Sequence, residues 1–217
     1  GIFYHLLIFK KFKMIQEIFF QISILEWIGV SFAIVQVLLS RVNNPTNYLF
    51  GICSVSITMY LMFQSKLYAE FALNIYYLIM SIYGWYFWKF GKQQHETPIS
   101  FSTKKDYTIS FLIVLISFIL FYFGLTQLTD SDVPILDATI SAFAWAGMWL
   151  MAKRKIENWI FLNISNAIAI PLMIHKELYL YAILTLILFI VATSGYFKWR
   201  KIKRSMKIEL FKKFKIN

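Results

Sequence analysis

Glu70, Asn74, Tyr77 and Ser81 follow one another at spacings of four, three and four residues. That is one face of an α-helix. Trp159, Asn163 and Asn166 repeat at four and three, again one face. The chemistry these side chains offer is recognition. Amides, a phenol and a hydroxyl exchange hydrogen bonds, and an indole offers a ring face to a flat cation. Nothing in the chain suggests bond breaking. His5, His95 and His175 stand far apart, and Cys53 is single and sits in an apolar run. No G-x-x-x-x-G-K-[ST] phosphate loop occurs, since Gly91-Lys92 has the wrong spacing. No catalytic residue, metal site or cofactor is expected.

These polar faces lie in apolar surroundings. Hydrophobic residues make up 59% of 217, aromatics 19% and charges 15%, and the mean hydropathy is +0.61. A soluble domain of this length cannot hide so much apolar surface. The charges gather at joints between apolar runs of about 18–20 residues, the length that crosses a bilayer. A net charge of +11 is therefore read as the basic bias of cytoplasmic loops and not as a nucleic-acid surface.

Seven spanning helices are predicted, at 22–40, 46–64, 69–88, 108–126, 134–151, 157–174 and 177–197. Asn43-Asn44-Pro45, Thr97-Pro98 and Asp130 to Pro134 mark joints. The sequence also repeats itself, without a gap, at an offset of 111 residues. Ile24-Leu25-Glu26 pairs with Ile135-Leu136-Asp137, Ser54 with Ser165, Gly84 with Gly195 and Trp88 with Trp199. Helices one to three thus match five to seven. A fourth helix without a counterpart reverses the chain and makes the two units parallel. The expected fold is an all-α integral membrane protein, two parallel three-helix bundles joined by a connector (3+1+3). Its parts are an amphipathic N-terminal segment (1–21), the first bundle (22–90), a cytoplasmic loop and connector (91–133), the second bundle (134–197) and a basic cytoplasmic tail (198–217). Lysine and arginine place the C-terminus inside, and the tail reads as an anchor to anionic lipid.

The repeat also acts as a control. Asn74 corresponds to Thr185, Tyr77 to Leu188, Asn163 to Ile52 and Asn166 to Val55. A bound ligand would break the symmetry in this way. Interhelical bonding is the alternative for Asn74 and Asn163. Glu26 and Asp137 correspond to each other at helix starts, where a carboxylate suits the helix dipole. With Glu70, Asp130 and Asp132 they would form an outer vestibule attracting cations. Trp85, Trp88 and Trp199 are expected as interface anchors, and Pro171 as a hinge.

Several stretches resemble the PnuC-type vitamin transporters: NYLFG (Asn47 to Gly51), LYAEFALNIYYLIMSIYGWYFW (Leu67 to Trp88), ILDATISAFAWAGMWLMAKRKIENW (Ile135 to Trp159) and GYFKW (Gly195 to Trp199). The resemblance implies a fold like that of the SWEET sugar transporters and a homotrimer in the bacterial inner membrane. It also implies facilitated diffusion of a vitamin that is trapped inside by phosphorylation. Nicotinamide riboside members look like W-x-x-W-x-x-x-[ND] in the sixth helix. Here Trp159 and Asn166 fit that pattern, with Leu162 in place of the second Trp. YAEFALNIYY looks more like the thiamine-associated branch, PnuT. The reading favours thiamine, with nicotinamide riboside as the alternative and a non-transporting seven-helix receptor behind both. The partners expected are the vitamin and the lipid bilayer, with no nucleic acid.

Overall fold

The computed structural model describes residues 24–64, 68–91, 97–128 and 132–215. The N-terminal segment expected at 1–21 lies outside the described residues. Seven helices follow in order: α1 (Ile24–Arg41), α2 (Asn47–Gln64), α3 (Tyr68–Phe90), α4 (Lys104–Leu128), α5 (Pro134–Ala152), α6 (Asn158–His175) and α7 (Tyr179–Lys215). Four of them, α1, α4, α5 and residues 181–206 of α7, are long and apolar enough to cross a membrane by composition alone. The other three have spanning length but carry more polar residues, among them Asn47, Gln64, Asn74, Asn158, Asn163 and Asn166.

Local chemistry sets the ends. Thr103 and Asp106 bond reciprocally, the Asp106 carboxylate accepting from the Thr103 N–H at 2.8 Å and the Thr103 hydroxyl accepting from the Asp106 N–H at 3.2 Å. This capping box starts α4 four residues before the expected boundary. Pro134 sits in the first turn of α5, where a missing N–H costs nothing. α6 continues through Pro171 to His175. α7 does not stop at 197. No Gly or Pro interrupts residues 198–215, and Ile202 and Met206 pack against the buried core, so the helix runs on through the basic segment.

Contacts between helices trace a closed ring: α1 to α2 to α3 to α5 to α6 to α7 and back to α1. The connector α4 stands outside it, packed on α5. Each three-helix bundle is half of the ring, and two seams join the halves, α3–α5 and α7–α1.

Two side-chain bonds of the repeat recur in both halves. The Ser54 hydroxyl donates to the Gly29 carbonyl at 2.9 Å, and Ser165 donates to Ile140 at 2.8 Å. Asn47 Nδ2 donates to the Asn44 carbonyl at 2.7 Å, and Asn158 Nδ2 to the Lys155 carbonyl at 2.5 Å. Asn43 and Arg154 close α1 and α5 with φ of 62° and 56°. Asparagine tolerates this left-handed conformation; for arginine it costs about 1–2 kcal/mol.

Candidate functional site

The largest buried rings gather where the two seams meet at the basic end. Tyr48, Trp88, Trp159 and Trp199 are all fully buried. Tyr48 meets Trp88 edge-on at 5.1 Å, and its repeat partner Trp159 meets Trp199 edge-on at 5.5 Å. Trp88 and Trp199 then meet each other at 5.6 Å, on the pseudo-two-fold axis between the halves. Glycine makes room for this. A Cβ on Gly84 would lie 2.5 Å from the Tyr48 ring, and one on Gly195 would lie 2.8 Å from the Trp159 ring.

The cluster is also a reciprocal latch. The Trp88 indole N–H, from the first bundle, donates to the Met151 carbonyl at the end of α5 at 3.0 Å. The Trp199 indole N–H, from the second bundle, donates to the Ser40 carbonyl at the end of α1 at 2.9 Å. Each carbonyl also accepts a turn N–H, Met151 from Arg154 at 2.8 Å and Ser40 from Asn43 at 2.9 Å, and each tryptophan adds a second bond across a seam. Trp88 and Trp199 are therefore not interface anchors. Hydropathy places tryptophan at the lipid boundary, but here the neighbouring glycines admit the rings and helix ends bind the N–H groups.

Arg154 extends the latch. It is buried, and its guanidinium lies 4.5 Å over the Trp88 ring. Its Nε donates to Asn43 Oδ1 at 2.8 Å, joining the left-handed residues of the two repeats, and Nη1 donates to the Thr97 carbonyl. Around it, loop 97–102 is stitched to the second bundle. The Glu157 carboxylate accepts from the Ser102 N–H and hydroxyl at 2.8 and 2.7 Å, and Lys155 pairs with Asp106 at 3.1 Å. A short parallel bridge joins Ser100 and Lys155.

Asn74, Tyr77 and Ser81 occupy the face of α3 opposite exposed Ile75, Ile79, Ile82 and Tyr86, which places them on the inner side of the ring. Ser81 is fully buried, and its hydroxyl has no hydrogen-bond partner. Tyr77 is half-buried beside Tyr76, ring to ring at 6.0 Å. Asn74 is half-buried on the same face. The side chain of Glu70 lies outside the described residues.

The α6 residues separate. The half-buried Asn166 stands two turns beyond Trp159, away from the groove that Trp159 lines. The Trp159 N–H is buried without a partner. Asn163, like Trp159, faces α7, where its Nδ2 donates to the Thr193 hydroxyl at 2.9 Å and Trp159 packs on Gly195 and Trp199. With Trp159, Asn163 lines an outward groove that also holds exposed Ile160, Ile164 and Phe197. Its Oδ1 remains without a partner. Leu162, standing where a second tryptophan was looked for, packs on Gly147 of α5.

At the acidic end, Asp137 is held by Lys176 at 2.9 Å, with Asp132 at 3.8 Å from the same ammonium. A cation thus stands inside the expected acidic vestibule. Glu26, the repeat partner of Asp137, lines a crevice between α1 and α7 with Trp27, Ile34, Tyr181 and Ile187. Among the described residues no cluster of His, Cys, Asp or Glu could hold a metal ion.

Residues 23–201 match the family model described as "Nicotinamide mononucleotide transporter". The nicotinamide riboside transporter PnuC of Escherichia coli (strain K12) is 23% identical over 206 residues, covering 83% of this chain and 86% of that one. The nicotinamide riboside transporter PnuC of Neisseria mucosa is 27% identical over 169 residues, covering 72% and 64%. A crystal structure of the vitamin B3 transporter PnuC superposes with a TM-score of 0.67 at 21% identity, covering 92% of this chain and 90% of that one. The fold is thus the same all-helical one. The match to the family model covers most of the seven-helix body, and on that ground the chain is a multi-pass membrane protein of the nicotinamide mononucleotide transporter family, not an enzyme.

Proposed function

We propose that the protein carries nicotinamide riboside across the membrane by facilitated diffusion. The path runs through the centre of the six-helix ring. The observation that carries this reading is a polar inner face on α3, present in one half of the ring only and ending at the aromatic latch. Asn74, Tyr77, Ser81, Trp159 and Asn166 would hold the ligand, and Asn163, bonded to Thr193 and lining the outward groove, would stay outside the set. Glu70 would belong to the outer approach, with Glu26 and Asp137. Nicotinamide riboside is a flat cationic ring bearing a hydroxylated sugar, so it needs stacking surfaces and hydrogen-bonding groups together. In a dry site an unmatched donor or acceptor costs about 1–3 kcal/mol, which a ligand would relieve at Ser81 and Trp159.

Thiamine was the first expectation from YAEFALNIYY and from Leu162. The relatives named above are nicotinamide riboside transporters, and Leu162 packs between helices in this structure. The relatives favour nicotinamide riboside, and Leu162 has a packing role that leaves the substrate open to either vitamin. We place the basic end in the cytoplasm, because Lys89, Lys104, Lys105, Lys153 and Lys155 all belong to that end. The homotrimer implied by the resemblance belongs to the same proposal, and light scattering in detergent tests it.

Calorimetric titration and proteoliposome uptake with both vitamins side by side test the function. Nicotinamide riboside is expected to bind and accumulate until its concentrations equalise, and thiamine not to compete. Competition by thiamine at equal concentration would restore the earlier reading. Binding without uptake would indicate a receptor. Asn166→Ala and Trp159→Ala should each weaken binding by about tenfold, or ~1.4 kcal/mol. Unchanged affinity in both would remove these residues from the site.

A further inference from the structure

The two seams that join the half-rings are equivalent by the repeat but are not built alike. In the α3–α5 seam, Tyr76 stacks on Trp145 with centroids 4.0 Å apart and planes at 15°. The Tyr76 hydroxyl donates to the Trp145 carbonyl at 2.8 Å. Phe121 of α4, itself buried, sits edge-on against the same indole at 4.7 Å and 81°. The 111-residue offset carries Trp145 to Ile34 and Tyr76 to Ile187. Those two isoleucines line the crevice between α1 and α7. Where one seam holds a bonded, stacked and buttressed aromatic pair, the other holds two aliphatic side chains and a gap. The connector contributes to this difference, because α4 packs on α5 and its Phe121 buttresses Trp145.

At the basic end each seam carries one tryptophan-to-carbonyl bond, and the Tyr48 hydroxyl adds a second bond to Met151 at 3.3 Å. The loss of packing is greatest toward the middle and the acidic end, where the crevice lies. The geometry points to a division of labour: α3–α5, braced by α4, is the pivot of the ring, and α1–α7 is the seam that parts. A pivot must keep its contacts through the cycle, and stacked rings with a buried hydrogen bond resist separation. A seam that parts must lose little on opening. Ile34 and Ile187 flank a gap, so they have few contacts to lose, and lipid chains can replace those. The assignment rests on the transport reading for its purpose, but it concerns motion and can be measured without a ligand.

The test uses pairs of spin labels in lipid nanodiscs, in a Cys53→Ser background. Ile24→Cys with Ile183→Cys reports on the α1–α7 seam, and Ile75→Cys with Ile135→Cys on the α3–α5 seam. All four positions are exposed. In the ligand-free protein the first pair should give a broad or two-peaked distance distribution and the second a single narrow one. Added nicotinamide riboside should redistribute the first and leave the second unchanged. Equal breadth at both seams, or a shift confined to α3–α5, overturns the assignment. Failure of the parent protein to bind nicotinamide riboside would count against the transport reading alone, because the ligand-free distributions still decide the seams. A second arm copies the pivot into the moving seam with Ile34→Trp and Ile187→Tyr. Uptake should fall about tenfold with binding retained. Undiminished uptake by that folded variant would also overturn the assignment.

Discussion

Trp88 and Trp199 show what the repeat means for single residues. Each donates its indole N–H to a helix-end carbonyl of the other half. Trp88→Phe or Trp199→Phe removes one buried hydrogen bond while each carbonyl keeps a turn N–H, from Arg154 at Met151 and from Asn43 at Ser40, at about 0.5–1.5 kcal/mol. The two substitutions should lower thermal stability in detergent by similar amounts, and unequal effects would show that one bond dominates. Gly84→Ala and Gly195→Ala place a methyl group against rigid rings and should cost about 1–3 kcal/mol each, read by the same melting curves. Arg154→Lys removes a planar fork that reaches Asn43 and Thr97 together. About 1–2 kcal/mol should be lost, while the left-handed backbone strain remains. The inner face of α3 was legible from spacing alone. The latch was not, because composition assigns tryptophan to the interface and says nothing about which carbonyls lie across a seam. Likewise, periodicity groups Asn163 with Asn166, and only the position of α7 separates them.

Among the elements, α7 makes the clearest prediction. Its continuation past 197 brings Ile202 and Met206 onto the aromatic core. A chain ending at Lys201 loses both and should melt earlier, by roughly 2 kcal/mol for two partly buried side chains. A chain ending at Lys207 keeps them and should melt like the full protein. Seven helices were legible because apolar runs and breakers alternate clearly, and most ends fall within two residues of expectation. The two larger differences have local causes. The Thr103–Asp106 box starts α4 early. The basic segment after Trp199 carries strong helix formers and no breaker, so charge alone does not end the helix.

For the whole molecule, the 111-residue offset predicted the parallel halves, and the bonds at Ser54 and Ser165 or Asn47 and Asn158 reproduce it. It could not show that the halves close into a ring, since that depends on which helix ends meet in space. Nor could it rank the seams, because Trp145 and Tyr76 lie 69 residues apart. The stacked pair at Trp145 and Tyr76 has a consequence for how such a protein could arise. Two separate copies of a three-helix unit would share one gene, so any tryptophan placed at one junction would appear at the other. Such a pair must loosen or stiffen both junctions together. Once the copies are fused, each position can be written independently. A machine with one fixed side and one opening side is then within reach of single substitutions.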